Sequence, residues 1–567
     1  MSRIFLEALP IFLLFVVGCS AVETFPNTLL SDGSVLQVQL ANVTDIAPYK
    51  RRITIAPSTN ATFELINVST EASFIIFQIH TYQYNVTLSY NKYNMNKVSN
   101  ESVFGSNIGL LTRQTKNVVS LYVRNDNVKS VEALLVAVAY NDKEPVPGGC
   151  NMEFNTEIAP YTKVYMQDVM VFVDVQPASV PFKDTKPPIC KNDPVELEIY
   201  WMSLTEQDFS VDSYFVGISN MLTVESIMEN GQKIEPRNAT SWMRRVFSAY
   251  TGIGTFYVAV ATYKDHSAAY VPAFTYACSP IIDPESCELL PTSFAKFISA
   301  CCFILGLLSI LFGHACIKFN MTLPVLFTGT VFGYGLTDDI GLGLLIGIAV
   351  VVVWLICNVS TPIIGNCLFA LTLGLLFTSI ISLHVSSTFF FRKTMTREAP
   401  VNVSGNKAIC SRKDQPGREG GLMLYVYRLR NILYFDSFAD SFTLVQDDVV
   451  YWIAFAFITV CLSLVISLCS FVAHIYVCSI FSSLMVVLPL DYWIGSTLKY
   501  IVINVLRRAT VKGFDMAIVQ LPPLQAKDII VIVLWVFLAI FHNLAHFCKG
   551  GLYSLGTRNN EYTPMDI

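Results

Sequence analysis

Asp338 and Asp339 stand side by side in the turn Leu336-Thr-Asp-Asp-Ile340, between two glycine-rich apolar segments. Carboxylates near membrane depth are costly to keep charged, and such groups often mark an ion or proton path. The plainer role is an interfacial turn in which Asp339 caps the helix that follows. A second pair, His542 and His546, is spaced i, i+4 on the last apolar run, so both share one helix face. That spacing suits zinc if His314, His384 or His474 supplies a third ligand, but no motif surrounds any of them. Two interfacial histidines beside Lys549 are the ordinary outcome, and neither a metal site nor a cofactor is assigned. Asp491, in Leu488-Pro-Leu-Asp-Tyr-Trp493, reads as interfacial beside aromatic belt residues. P-loop, G-x-S-x-G and H-E-x-x-H signatures are missing, as are the D-R-Y and N-P-x-x-Y of rhodopsin-like receptors, so no catalytic residue is assigned.

The elements that must hold these groups divide the chain near residue 290. Of its 567 residues, 53% are hydrophobic and only 14% charged, with a mean hydropathy of +0.50. That surplus over the needs of one soluble core is concentrated after Pro291 and makes the lipid bilayer the expected solvent there. A net charge of -5 gives no reason to expect a nucleic-acid partner.

Residues 1–21 read as a signal peptide, with Arg3, the apolar run Ala8 to Val17, and small residues at Cys19 and Ala21. The sequons at Asn42, Asn60, Asn67, Asn85, Asn100 and Asn238 all precede the first apolar span, which favours a lumenal, glycosylated surface. Cys150, Cys190, Cys278 and Cys287 are an even set in an oxidising compartment, compatible with two disulfides in any of three connectivities. Short alternating stretches, among them Ser73 to His80, Asn85 to Tyr90, Val118 to Arg124, Val131 to Tyr140, Val164 to Val175, Val195 to Met202 and Thr255 to Tyr263, predict strands. Val136-Ala-Val-Ala139 and Val258-Ala-Val-Ala261, each followed by an acidic turn, proline and cysteine, suggest an internal repeat. The expectation is two tandem β-sandwich-like domains, 22–150 and 151–290, with Pro177 to Pro194 as a linker or crossing loop. Tyr82, Tyr84, Tyr90 and Tyr93 read either as a ligand-stacking patch or as ordinary cross-strand pairs.

Residues 291–548 carry seven apolar runs: Phe294 to Ile317, Met321 to Leu336, Gly341 to Val359, Ile363 to Val385, Val450 to Ala473, Ile475 to Leu490 and Ile529 to Phe547. Most approach the roughly 20 residues that a helix needs to cross hydrocarbon. Met321 to Leu336 is short and holds Pro324, Gly329, Gly333 and Gly335, so a re-entrant segment is the alternative. Gly329, Gly333, Gly341, Gly343 and Gly347 should let the second and third runs approach closely. With seven crossings the loop 386–448, carrying the sequon Asn402, lies outside and the tail 549–567 lies in the cytosol. Basic residues such as Arg392, Arg428, Lys499, Arg507 and Lys527 then fall on the outer side, against the usual bias. The tail segment Tyr562-Thr-Pro-Met565 fits the Y-x-x-apolar form read by clathrin adaptors.

The order of signal peptide, glycosylated β region and seven spans, with Gly329-Thr-Val-Phe-Gly-Tyr-Gly335 running into Asp338-Asp339 and Gly341-Leu-Gly343, resembles the family of transmembrane 7 superfamily member 3. The resemblance covers essentially the whole chain. It implies a multi-pass membrane protein of the plasma membrane or secretory pathway: an N-terminal all-β ectodomain, then a C-terminal α-helical bundle of seven transmembrane helices. It also implies a pro-survival role in attenuating ER stress and the unfolded protein response. No catalytic residues come with it. The expectation is therefore a non-enzymatic, receptor-like glycoprotein with an unidentified lumenal or extracellular protein or glycan partner. A transporter, channel or zinc hydrolase using Asp338, Asp339, His542 and His546 is the alternative.

Overall fold

Strand pairing here joins residues far apart in the chain, so side-chain alternation has to serve faces that the sequence does not announce. The computed structural model describes residues 28–41, 43–69, 72–95, 101–113, 118–150, 161–181, 195–234, 244–290, 292–312, 317–337, 339–360, 369–371, 374–375, 377–379, 448–468, 471–519 and 525–559. The first unit contains β1 (Thr28–Leu30), β2 (Val35–Gln39), β3 (Tyr49–Ile55), β4 (Thr59–Ile66), β5 (Phe74–Thr81), β6 (Val86–Ser89), β7 (Ser102–Gly105), β8 (Asn107–Arg113), β9 (Val118–Asn125) and β10 (Val131–Tyr140). They form two five-stranded sheets, β1-β3-β10-β5-β8 and β2-β4-β9-β6-β7. The sheets pack face to face, with Phe63 of β4 and Phe77 of β5 at a ring separation of 5.3 Å.

Every residue of β5 is buried, and β10 is buried throughout except at Glu132. Both faces of this sheet are covered, one by its partner sheet and the other by the second unit. Doubly covered strands lose the polar alternation of a solvated sheet, which is why Ser73 to His80 reads as Phe-Ile-Ile-Phe.

The second unit contains β11 (Thr162–Gln167), β12 (Met170–Val175), β13 (Glu196–Glu206), α1 (Val211–Ser219), α2 (Val224–Asn230), β14 (Gln232–Ile234), β15 (Arg244–Ser248), β16 (Ile253–Tyr263), β17 (His266–Ala269) and β18 (Ala273–Thr275). Its sheets are β11-β12-β15 and β14-β13-β16-β17, with β18 also on β16. Val136 to Ala139 and Val258 to Ala261 lie buried in the central strands β10 and β16, so the repeated tetrapeptide marks equivalent places in two sheets. The expected strand Val164 to Val175 is instead a hairpin, turned at Asp168 with φ 53°. Helices α1 and α2 interrupt the expected all-β pattern. Ser210 and Thr223 cap them, each accepting a hydrogen bond from the backbone N–H three residues on. α1 buries Tyr214, Phe215 and Ile218 in the first unit's hydrophobic cluster.

The helical part comprises α3 (Ser293–Phe312), α4 (Ile317–Thr337), α5 (Ile340–Ser360), α6 (Asp448–Leu468), α7 (Phe471–Ile494), α8 (Tyr500–Thr510) and α9 (Ala526–Asn559). Among the described residues, four windows, in α3, α5, α6 and α9, are long and apolar enough to cross a membrane, while α4 and α7 carry shorter apolar stretches. Most of Ile363 to Val385 lies outside the described residues. Met321 to Leu336, for which spanning and re-entrant courses are both expected above, lies in α4, a continuous helix through Pro324 whose 21 residues rise about 31 Å and whose apolar stretch is Met321–Thr337. α4 and α5 are antiparallel and in backbone contact, with Gly329 against Gly347 and Gly333 against Gly343. α7 runs antiparallel to α3 and α9, as the contacts Gly306 to Val486, Ser309 to Ser482 and Ser479 to Asn543 require. Outward faces of these helices are apolar, including Leu307 and Leu311 of α3, Val353 of α5 and Val536 of α9, as lipid contact demands.

Candidate functional site at the junction of the β units and the helices

Helix α7 ends at Gly495, whose φ of 71° suits a left-handed stop; the N–H groups of Gly495 and Ser496 both return to the Asp491 carbonyl. The chain then turns under the second β unit and brings Lys499 to Glu206, the last residue of β13. The ammonium lies 2.8 Å from Glu206 Oε1 and 3.6 Å from Asp491 Oδ2, and all three side chains are under 8% exposed. Asp491 is held further by N–H donors, from Leu498 to Oδ1 at 3.2 Å and from Lys499 to Oδ2 at 2.9 Å, and by the Ser496 hydroxyl. Asp528, near the start of α9, accepts from the backbone N–H of Thr497 and Gln525, each at 2.8 Å. One ammonium is thus shared by two carboxylates, with a third pinning the same loop. Burial raises the Glu206 pKa above the ordinary carboxyl range, with Lys499 acting in the opposite direction.

Around this cluster α8 presents Tyr500, Asn504 and Arg507, spaced i, i+4, i+7, as its buried face. Tyr500 packs edge-on against Tyr250 at 4.6 Å. Asn504 donates to the Tyr250 hydroxyl at 3.3 Å, and Arg507 donates to the Ala249 carbonyl at 2.5 Å. Further along, Ile518 joins the β15 edge, donating to the Val246 carbonyl at 2.8 Å and accepting from the Ser248 N–H at 3.0 Å. Phe514 and Ala517 bury against Met170 of β12. The segment from Asp491 to Val519 is therefore seated on the second β unit by ionic, aromatic, apolar and main-chain contacts together. Such a seat ties the loop after α7 directly to the second β unit.

The two β units meet at a second polar centre. The Tyr214 hydroxyl is 3.0 Å from the Thr81 carbonyl and 2.8 Å from Asn107 Oδ1, while His80 contacts Asn107 Oδ1 at 2.8 Å and Gln78 Oε1 at 2.9 Å. Complete burial lowers the His80 pKa to about 4. Tyr82 donates to the Phe209 carbonyl and packs on Tyr214 and Tyr276, and Arg52 pairs with Asp212 of α1 at 2.7 Å. Tyr82 is thus part of the seam between units rather than of an open stacking patch, whereas Tyr93 is exposed.

Asp339 is exposed, and its Oδ1 accepts from the Leu342 N–H at 2.8 Å, the helix cap anticipated as its plainer role; Asp338 lies outside the described residues. His542 is buried on α9, and the side chain of His546 is outside the described residues. Among the described residues no group of three His, Cys, Asp or Glu is placed to hold a metal ion. Asp491 differs from the expectation of an interfacial group: it is fully buried, because the loop after α7 folds back over it. Cys278 and Cys287 are bonded to each other, and Cys150 is disulfide-bonded; Cys190 is outside the described residues. Asn60, Asn67 and Asn85 are exposed, whereas Asn42, Asn100, Asn238, Asn402, Tyr562 and Met565 lie outside the described residues. The sequence reading missed the junction because Glu206 and Lys499 are 293 positions apart. The available signal was α8, whose polar residues repeat at helical spacing as apolar ones do in a core-facing helix.

Three family models match along the chain in order. They are "TM7SF3-like, N-terminal immunoglobulin-like domain" over residues 24–140, "TM7SF3-like, second immunoglobulin-like domain" over 145–281, and "TM7S3/TM198-like domain" over 430–545. Among curated proteins the chain is similar to transmembrane 7 superfamily member 3 of Homo sapiens, 25% identical over 508 residues, with 84% of this chain and 78% of that protein covered. The proteins of the same name from Rattus norvegicus and Mus musculus are 26% identical over 495 residues and 25% over 507, with the same coverage.

Proposed function

The chain belongs to the family of transmembrane 7 superfamily member 3, and on that premise we propose that it is a non-enzymatic, receptor-like membrane glycoprotein. Its β units engage a lumenal or extracellular protein or glycan, and its helical bundle receives that event. The observation that carries this reading is the seat around Lys499. An ectodomain on a free tether could bind but could not push; this one rests on the loop joining α7 to α9. The role implied by the family resemblance, attenuation of ER stress and the unfolded protein response, fits a membrane protein whose lumenal mass is coupled to its spans. The tail, with Tyr562 and Met565, is a cytosolic sorting signal in this scheme, and residence is in plasma or secretory-pathway membranes.

Seven spans are supported by parity. α3 and α9 both begin on the side of the β units, α7 ends there, and α4 reaches that side with Gly335 beside Leu506 and Thr510 of α8. α5 therefore ends on the opposite face, where α7 must begin. A crossing by α6 then requires one more in the interval that holds the helical residues 369–371, 374–375 and 377–379.

The test is rescue of cells lacking the protein, read with an unfolded-protein-response reporter under a glycosylation inhibitor. The full chain is expected to lower the signal. Deletion of residues 22–290, and Lys499→Met, should each lose the effect while still inserting in membranes. Undiminished rescue by the deleted chain would sink the receptor reading and return attention to the bundle as a transport path.

A further inference from the structure

We infer that the cleft between the two β units is occupied by the chain's own N-linked glycan, attached at Asn85. A cavity of about 340 Å³ opens where the units meet. Phe104, Ser106 and Asn107 line it from the first unit, and Tyr161, Lys163 and Phe274 from the second. The Ser106 hydroxyl and the Lys163 ammonium bring polar chemistry that suits sugar hydroxyls, and the aromatic rings offer flat apolar surfaces for pyranose faces. An open polar cleft of this kind does not suit a lipid or an apolar peptide.

Asn85 itself lines the cavity, is exposed, and begins the sequon Asn85-Val86-Thr87 at the start of β6. Its backbone is fixed, since the Asn127 side chain donates to the Asn85 carbonyl at 2.9 Å. A sugar attached there is a tethered ligand at high effective concentration, so weak contacts suffice to hold it. Asn60 and Asn67, equally exposed sequons, are not among the cavity's lining residues. The glycan on Asn85 thus adds a bridge between two bodies that also share an apolar core, α1 and the Asn107 network, whereas glycans at Asn60 and Asn67 project into solvent.

The inference rests on the lumenal orientation proposed above. It is tested on the full-length glycoprotein in detergent, digested with an amidase that converts each released glycosyl-asparagine to aspartate, so that every site is scored by mass spectrometry. Under native conditions Asn85 should be released about tenfold more slowly than Asn60, because cleavage awaits local opening of the cleft. After denaturation the two sites should be released alike. Asn85→Gln should raise amide hydrogen exchange at residues 102–110 and 161–164, and Asn60→Gln should not. Equal native release at both sites, or a bare Asn85 beside a glycosylated Asn60, overturns the cleft inference while leaving the orientation intact. Absence of glycan from every sequon overturns both.

Discussion

At the level of single side chains, the Lys499 ammonium is shared by Glu206 and Asp491, both as deeply buried as itself. Removing the shared partner is worse than never having built the group, because it strands two carboxylates. Lys499→Met should cost about 3–5 kcal/mol at the junction, read as a lower melting temperature and faster exchange across residues 495–519. Adding Glu206→Leu should recover part of that loss. The sign of the pH effect follows from Glu206, whose raised folded pKa makes its contribution present at low pH and lost as pH rises through that pKa. The Lys499→Met defect should therefore be milder in acid; a defect that deepens in acid contradicts the assignment. His80 runs the other way. Its folded pKa of about 4 against an ordinary 6.5 means the neutral ring is favoured by folding. That stability is complete above pH 6.5 and lost as pH falls toward 4, about 3 kcal/mol in all. His80→Gln should flatten the pH dependence of first-unit unfolding over that window. Asp339, a cap, should tolerate Asn at little cost and lose about 1 kcal/mol with Ala; loss of function in Asp339→Asn with normal folding would revive the transport alternative.

Among elements, the α4–α5 hairpin depends on missing side chains. A Cβ on Gly347 would lie 2.3 Å from Thr330 Oγ1 and 2.9 Å from the Leu326 carbonyl. Gly347→Ala should cost about 1–3 kcal/mol through forced separation of the helices, seen as a lower melting temperature in detergent; an unchanged value would mean that the pair does not pack this way. This glycine pattern was readable beforehand, as was the pair of Val-Ala-Val-Ala strands, because each leaves a local periodic trace. The basic loop after α7 was not. Its charges looked like an argument against seven spans, yet Lys499 answers buried acids, Arg507 a backbone carbonyl, and Arg508 the Tyr451 ring at 3.8 Å. The positive-inside bias counts loop Lys and Arg, and these three also have partners within the fold. Strand β13 gave no warning either, since one glutamate at a strand end looks like any solvated charge until its partner arrives from another domain.

On the scale of the molecule, the architecture of β units followed by apolar helices could be read from composition and patterning, whereas the seat between them could not, being a product of tertiary contact alone. An epitope after Ile567 should be protected from protease in intact cells and cut only after permeabilisation; cleavage in intact cells would mean an even number of crossings and undo the parity argument. The seat also sets a clock. Glu206 is synthesised 293 residues before Lys499, which at roughly 5–20 residues per second is about 15–60 s of translation. Once β18 has followed and cleared the ribosome, the second β unit spends the rest of that interval with an acid and an apolar edge that have nothing to cover them. Nascent chains of this protein must therefore pass through a prolonged half-finished state, and chains stalled before α7 should present to chaperones the same surface that the finished molecule hides.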